Sequence, residues 1–170
     1  AAAAADSRAR LLRQFDAYRQ ALGARGLAVP QTPELNVPLW ELGHIGWFEE
    51  FWIARNPQRR RGAAADPRVS RAAPLRANAD ALYNSSEVAH ARRWGLSLPD
   101  AALTLADLQR ISQRRLALLL DAQDDDDALY FHRLVLFHED MHGEAWVYMA
   151  QNLGFDPGVD LSAGVILRRN

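Results

Sequence analysis

The sequence predicts an all-α protein, a four-helix bundle with short extra helices and loops. Apolar residues recur at three- and four-residue steps in four long segments, as they do along the buried face of a helix. No segment shows the period-two alternation of a half-buried β-strand. Glycine or proline stands at the boundaries of these segments. Helices that each present one apolar face bury it by packing together, and four long ones predict a bundle.

Composition limits the class of protein. With 170 residues, 49% of them hydrophobic and 24% charged, the chain is long enough for one globular domain with its own core. A net charge of -1 gives no general electrostatic basis for binding nucleic acid or an anionic membrane. No apolar run approaches the roughly 20 residues that span a bilayer. Cysteine is absent, which excludes disulfides and thiolate chemistry. Because a chain without cysteine fits a reducing compartment, we expect a cytoplasmic protein.

The first two helices are predicted at residues 6–22 and about 37–54. Gly23 follows the first, where a residue without a side chain ends a helix readily. Asn36 is a suitable cap for the second, and Pro38 fits its first turn because the missing N–H has no partner there. One face of the second helix is aromatic with a single imidazole in its middle: Trp40, His44, Trp47, Phe48 and Phe51.

The middle of the chain is less regular. Residues 58–74 predict a surface loop, with a solvated arginine run at 59–61. Residues 77–91 fit either a short helix or a structured turn. A third long helix is expected at about 104–122, with Thr104 near its cap.

The last long helix is predicted at residues 128–153. The acidic run at 124–127 precedes it and would meet the positive end of its dipole, and Gly154 ends it. We therefore expect a metal-binding bundle over residues 6–157, followed at 158–170 by a tail or the start of an interdomain linker.

The last helix carries two histidines four residues apart, His138 and His142, which places both imidazoles on one face. Because Leu134, Met141, Ala145 and Met149 share that face, we expect the rings to point inward. A buried imidazole needs a partner, and a metal ion would satisfy both. His44 is the candidate for a third ligand from a facing helix.

Three neutral imidazoles with open positions suit Fe, Zn, Ni or Cu. Nearby glutamates could accept the free N–H of a ligand ring: Glu41, Glu139 and Glu144. The alternative is that the three histidines are core residues with ordinary hydrogen bonds. His90 and His132 have no comparable neighbours, and we expect His132 on the surface.

Residues 138–142 also fit H-E-x-x-H, the motif in which the glutamate of a metalloprotease acts as general base. That chemistry needs a third ligand further along the chain. No histidine follows His142, and no glutamate follows Glu144. The predicted fold also has no edge strand to hold a peptide, so we disfavour this interpretation.

Taken together, the motifs resemble the DinB-like domain, and more narrowly the N-terminal domain of the EgtB-like ergothioneine synthases and their selenoneine-synthase relatives. The L-G-H and W-F-E of residues 39–49 are similar to the helix that carries the family's first ligand, and residues 137–144 to its H-E-x-x-H-x-E helix. Residues 82–86 fall where the family has a short motif that contains asparagine or aspartate and serine. Residues 88–94 look most like the selenoneine-synthase branch of the family.

The resemblance implies that His44, His138 and His142 hold a mononuclear non-haem Fe(II), with Zn or Ni possible in a purified sample. It implies a reaction that joins a thiol or selenium donor to the imidazole C–H of trimethylhistidine, using O2. It also implies a further, formylglycine-generating-enzyme-like domain that completes the substrate pocket, so we expect this chain alone to bind metal without turnover. Four residues are substrate contacts by resemblance only: Tyr83, Asn84, Arg92 and Arg93.

Two other functions stay open on the sequence. One is a stand-alone DinB-type thiol transferase, in which the same three-histidine metal activates a small thiol. The other is a non-catalytic, metal-holding bundle that forms a homodimer through its aromatic helices.

Overall fold

The computed structural model describes residues 1–159, and these confirm the all-α class, with no strand among them. The α-helices are α1 (Ala2–Leu22), α2 (Pro38–Glu49), α3 (Ala79–Tyr83), α4 (Ala101–Leu120) and α5 (Asp126–Leu153). A π-helical turn, Glu50–Ala54, continues α2, and short 3-10 turns cover Gly23–Arg25, Gly62–Ala64 and His90–Gly95. Helix α1 packs on α5, and α2 packs on both α4 and α5. Most of the predicted tail, from residue 160 onward, lies outside the described residues.

Helix boundaries differ from the predictions where another side chain takes the capping role. Helix α4 begins three residues early because the carboxylate of Asp100, and not Thr104, accepts the Leu103 N–H at 2.8 Å. Helix α5 begins at Asp126 because Asp125 accepts the Ala128 N–H at 2.8 Å. The predicted cap Asn36 lies one residue before the actual one, since its side-chain amide donates to Glu41 instead.

The irregular stretch between α2 and α4 is fixed by side-chain hydrogen bonds. Arg55 is buried, donates from Nε to the Ala72 carbonyl at 2.7 Å and forms two hydrogen bonds with Asp80, at 2.6 and 2.7 Å. Arg60 pairs with Asp121 at 2.8 Å on the exposed surface, as expected for a solvated arginine run. Residues 77–91, for which the sequence left a short helix and a structured turn open, contain both. The helix is α3, and the turn after it is closed by the Asn84 side chain, which accepts the Ser86 N–H.

The core lies between all four long helices. Its largest fully buried side chains include Phe15 and Tyr18 of α1, Leu42 and Ile45 of α2, and Trp146 of α5. Smaller clusters form around Trp40 and Trp47, and around Ile53 and Phe131. Met149 lies in the core as predicted, whereas the prediction for Met141 is wrong, because this side chain is 53% exposed. Three residues separate it from His138, a rotation of about 300° that carries it onto the outer face.

A buried ion cluster joins the four long helices. Arg8 of α1 donates to Glu49 of α2 at 2.7 Å and to Glu139 of α5 at 2.6 Å, and it also hydrogen-bonds Ser112 of α4. Arg115 of α4 lies 3.0 Å from Glu49 and 3.5 Å from Glu139. Burial alone would lower the pKa of Arg8, but the two carboxylates raise it above the ordinary arginine value. Two positive and two negative charges therefore balance inside the bundle.

Breaking this cluster should destabilise the fold. In Glu139→Gln, two buried arginines share one carboxylate, and loss of one partner from a buried ion pair costs about 3–5 kcal/mol. Asp140→Asn is the matched control, because Asn keeps an oxygen for the Ser7 hydroxyl and loses only the exposed pair with Arg10, which should contribute about 0–1 kcal/mol. Urea unfolding followed by circular dichroism measures both. A loss as small as that of the control would show that the cluster does not hold the helices together.

Candidate metal centre

Helices α2 and α5 bring three imidazoles together. The Nε2 atom of His138 lies 3.2 Å from Nε2 of His44 and 3.2 Å from Nε2 of His142. One nitrogen from each ring lies within 4.8 Å of the other two. His44 is buried, and the other two rings are half-buried at the edge of α5. The structure thus places the three residues that the sequence singled out at a single point.

Hydrogen bonds at the opposite ring atoms set the tautomers of two ligands. Nδ1 of His44 donates to the Tyr83 carbonyl at 2.8 Å, because a carbonyl oxygen can only accept. Nδ1 of His142 contacts a carboxylate oxygen of Glu41 at 2.5 Å and donates to it in the same way. Each neutral ring carries one proton, so both Nε2 atoms present a lone pair to the centre.

This arrangement fits a metal ion better than a set of ordinary hydrogen bonds. Nε2 of His138 faces two lone pairs and can donate a proton fully to only one of them. A cation at the centre would accept all three lone pairs. With metal–nitrogen bonds of about 2.0–2.1 Å, neighbouring ligand nitrogens lie about 2.9–3.4 Å apart, which includes the two separations of 3.2 Å. The geometry does not choose among Fe, Zn and Ni.

The surroundings of His44 and His138 keep these two imidazoles neutral, the form that binds metal. Burial lowers the pKa of His44 to about 4, with a further contribution from His142. Burial, His142 and His44 together lower the pKa of His138 to about 2. Both rings are therefore unprotonated at neutral pH.

Glu41 is the predicted glutamate that contacts a ligand. It is buried on α2, and its second oxygen accepts the side-chain amide of Asn36, whose backbone N–H in turn faces the sulfur of Met149. Burial would raise the pKa of Glu41, but the hydrogen bond from His142 lowers it below the ordinary glutamate value. An ionised Glu41 fixes the ring of His142 and makes it a better ligand.

Aromatic rings hold the ligand rings in place. Phe48 stacks on His138 with ring centroids 3.6 Å apart and planes 4° apart. Trp40 stacks on His44 at 4.7 Å and 10°. The glycine of the L-G-H motif has a steric role, since a Cβ at Gly43 would lie 2.3 Å from the Tyr83 ring. Gly43 thereby lets α3 approach α2 closely enough for the Tyr83 carbonyl to reach His44.

Two of the three predicted glutamates serve other purposes. Glu139 binds Arg8 and Arg115 in the ion cluster, because the residue after His138 is rotated by about 100° toward α1 and α4. It is therefore not positioned as the general base of a metalloprotease, which is a further reason to reject that interpretation of residues 138–142. Glu144 is exposed and lines a groove between α1 and α5, two residues and about 200° beyond His142.

The expectation that His132 lies on the surface is wrong. His132 lies ten residues before His142, about 80° around α5 from that ring, and so its side chain is buried near Arg115 of α4 and not on the far side of the helix. Burial lowers its pKa to about 4, with contributions from Arg115 and Arg59. His90 binds the Leu35 carbonyl at 2.8 Å and takes no part in the centre.

The family resemblance implies four substrate-binding residues, and their positions in the structure divide them into two groups. Tyr83 is buried against Gly43, and Asn84 closes a turn, so both have structural roles. Arg92 is exposed. Arg93 lies over the face of Trp40, 3.6 Å from the ring centroid, and its Nε has no hydrogen-bond partner in the described part of the chain.

The sequence did not reveal that Asn36 hydrogen-bonds to Glu41, or that Arg8 forms an ion pair with Glu139. The spacing of five residues between Asn36 and Glu41 gave a local signal for the first. Arg8 and Glu139 are 131 residues apart, and nothing local to either residue reveals the pair.

No protein-family model matches the chain. The chain is 30% identical over 138 residues to the hercynine oxygenase of Mycolicibacterium smegmatis, covering 78% of this chain and 29% of that protein. It is 28% identical over 159 residues to the hercynine oxygenase of Mycobacterium tuberculosis, covering 94% of this chain and 33% of that protein. The chain is thus a distant homologue of these enzymes and spans about a third of the length of the curated relatives it matches. No described helix is long and apolar enough to cross a membrane.

The depressed histidine pKa values predict acid sensitivity of the metal-free protein. An unfolded histidine titrates near 6.5, so between that pH and the folded values the unfolded state binds more protons and stability rises with pH. As the pH falls from 7 to 5, each buried neutral imidazole should cost about 1.4 kcal/mol per pH unit below 6.5. Urea unfolding in chelator at several pH values should show a shallower dependence for His138→Gln than for the wild type. Parallel profiles would contradict the assigned protonation.

Glu41 should control metal affinity without supplying a ligand. Glu41→Gln replaces the charged acceptor of the His142 N–H, and loss of such a partner weakens metal binding by about 10–100-fold. Glu144→Gln is the control, because Glu144 is exposed and points away from His142. Competition with a chromophoric chelator measures both affinities. Equal affinities in the two variants would show that Glu41 does not orient the ligand.

Proposed function

We propose that this chain is the Fe(II)-binding, DinB-like domain of an EgtB-like enzyme that forms a C–S or C–Se bond on trimethylhistidine with O2. The observation that carries the proposal is the convergence of three imidazole Nε2 atoms, two of them with lone pairs fixed inward by Glu41 and the Tyr83 carbonyl. The distant homology to hercynine oxygenases supports the reaction class.

His44, His138 and His142 would hold the iron, which when bound supplies the activation of O2 for an oxidative bond formation. Three protein ligands leave coordination positions open, as a catalytic metal site requires. Glu41 keeps a proton on Nδ1 of His142 and holds that ring in one orientation. Phe48 and Trp40 cover the faces of two ligand rings and exclude water from them.

Arg93 is the residue that we propose for binding a substrate carboxylate. Its guanidinium lies on Trp40, which in turn stacks on His44, so a positive charge is held one ring away from a ligand. Among residues 1–159 no carboxylate forms an ion pair with Arg93, whereas Arg8, Arg55 and Arg115 each have one. Trimethylhistidine carries a carboxylate, and a planar guanidinium binds that group in a bidentate manner. Arg92 lies nearer the solvent and would act at the rim.

The rest of the substrate pocket belongs, in this proposal, to a further domain. The matched relatives are about three times as long as this chain, and the open side of the three-histidine centre needs additional groups to position two substrates. The lack of cysteine agrees with a reducing cytoplasm, which we propose as the compartment.

The proposal predicts about one Fe(II) bound per chain after anaerobic reconstitution. Changing His44, His138 or His142 singly to Ala should abolish tight binding, because two imidazoles hold such an ion poorly against water. His90→Ala is the matched control, since this ring bonds to a carbonyl away from the centre. Metal analysis after desalting gives the stoichiometry. Unchanged iron content in the three ligand variants would disprove the centre.

The same samples test whether the iron-loaded protein binds trimethylhistidine. Fe(II)-loaded protein should bind trimethylhistidine more weakly in Arg93→Gln than in the wild type, as measured by calorimetry without O2. A protein that binds iron and a small thiol but not trimethylhistidine would instead indicate a DinB-type thiol transferase. One that binds iron and neither compound would indicate a metal-holding bundle.

A further inference from the structure

Helix α5 has a second apolar face, directed away from the core. Four large side chains on it are exposed: Tyr130 by 41%, Phe137 by 68%, Met141 by 53% and Tyr148 by 51%. Leu134 lies between the first two and is half-buried. We call these five residues the α5 seam. Single exposed apolar residues are ordinary on a protein surface, but a continuous row along one helix is typical of an interaction site.

The spacing of the seam indicates what packs on it. Its members follow one another at four, three, four and seven residues, which is the alternating three-and-four pattern of a coiled-coil seam with one position, Glu144, replaced by a charge. With Glu144 included, the steps average 3.6 residues, one helical turn, so these side chains stay on one face of α5 and can all contact a partner helix. The seam is therefore suited to another α-helix.

We propose that the α5 seam is the contact surface for a second copy of this chain, with the two α5 helices antiparallel about a two-fold axis near Glu139. Glu139 lies midway between Phe137 and Met141, and also midway between Tyr130 and Tyr148. In this arrangement Phe137 packs on the partner's Met141, and Tyr130 on the partner's Tyr148. A two-fold contact must be complementary to itself, and the four large exposed side chains meet that condition, whereas Leu134 falls opposite the partner's Glu144.

Charges beside the seam select the same arrangement. Arg133 lies six residues before Glu139 and Glu144 lies five residues after it, both exposed and on the same flank. The two-fold axis consequently brings Arg133 of each copy opposite the partner's Glu144. A parallel pair in register would instead keep the arginines and the glutamates 11 residues, or about 16 Å, apart along the helix, so neither charge would meet its opposite.

The size of the seam predicts a weak dimer. An aromatic side chain buries about 150–250 Å² when fully covered, so the exposed parts of the four large side chains offer on the order of 400 Å² per copy. Both copies together approach about 800 Å², below the roughly 1,200–2,000 Å² of stable interfaces. We expect reversible association that depends on concentration.

The seam also borders the metal centre. His138 and His142 directly follow Phe137 and Met141, about 100° around the helix. A second copy on the seam would shield that edge of the centre from water. The contact between the two copies involves no metal ion and does not depend on the proposed function.

Sedimentation velocity over a range of protein concentrations tests the contact. Phe137→Glu should raise the dissociation constant of the dimer about tenfold or more, because it places a charge in the middle of the seam. Leu120→Glu is the control, since Leu120 is equally exposed but lies at the end of α4, off the seam. Circular dichroism verifies that both variants fold. A wild type that stays monomeric up to millimolar concentration, or a dimer unaffected by Phe137→Glu, would overturn the proposal.

A charge exchange tests the antiparallel arrangement. Arg133→Glu and Glu144→Arg should each weaken the dimer, and the double variant should recover it, because the pair is then restored with opposite signs. Arg133 also pairs with Asp126 within its own chain, so Asp126→Asn serves as the control and should leave the dimer unchanged. Failure of the double variant to recover would exclude this arrangement. Iron content measured in the same samples should stay constant, which separates failure of the contact from failure of the metal centre.

Discussion

Two buried carboxylates of α2 hold the bundle and its metal centre together. Glu41 binds His142 near one end of the helix, and Glu49 binds Arg8 and Arg115 near the other. Eight residues, or about 12 Å of helix, separate them, and His44 lies between. Because both carboxylates attach α2 to its neighbours, the distance between α2 and α5 is fixed on either side of His44. The 3.2 Å contact between Nε2 of His44 and Nε2 of His138 depends on that distance.

The charges around the two sites have different consequences. The ion cluster contains two arginines and two glutamates, so it adds no net charge to the interior of the bundle. The metal centre has three neutral imidazoles and one carboxylate, Glu41, with Arg93 nearby. A divalent cation there is not neutralised by its own ligands. The centre is thus suited to an anionic ligand, such as a thiolate or a substrate carboxylate, in the positions that the protein leaves open.

The sequence allowed the helices, their inward faces and the three histidines to be predicted, since all three depend on local periodicity. Thr104 was misassigned as a cap because Asp100 competes for the same backbone groups, and a pattern cannot rank such competitors. Glu139 and His132 were misassigned for a different reason. Their environments are created by Arg8 and Arg115, and these partners come from helices that are distant in sequence. Local spacing shows which face a residue occupies but not what lies opposite that face.

The H-E-x-x-H motif shows how far spacing can determine chemistry. Four-residue spacing ensures that His138 and His142 can share an ion, and this holds in any helix with that pattern. The function of the glutamate depends on what the bundle places beside it, and here two arginines hold Glu139 in the ion cluster. Any proton transfer at this centre must therefore use another group. Within residues 1–159 the one carboxylate in contact with a ligand is Glu41, and it is occupied by His142 and Asn36. In the proposed function, the proton donor or acceptor consequently has to come from the substrates or from the proposed further domain.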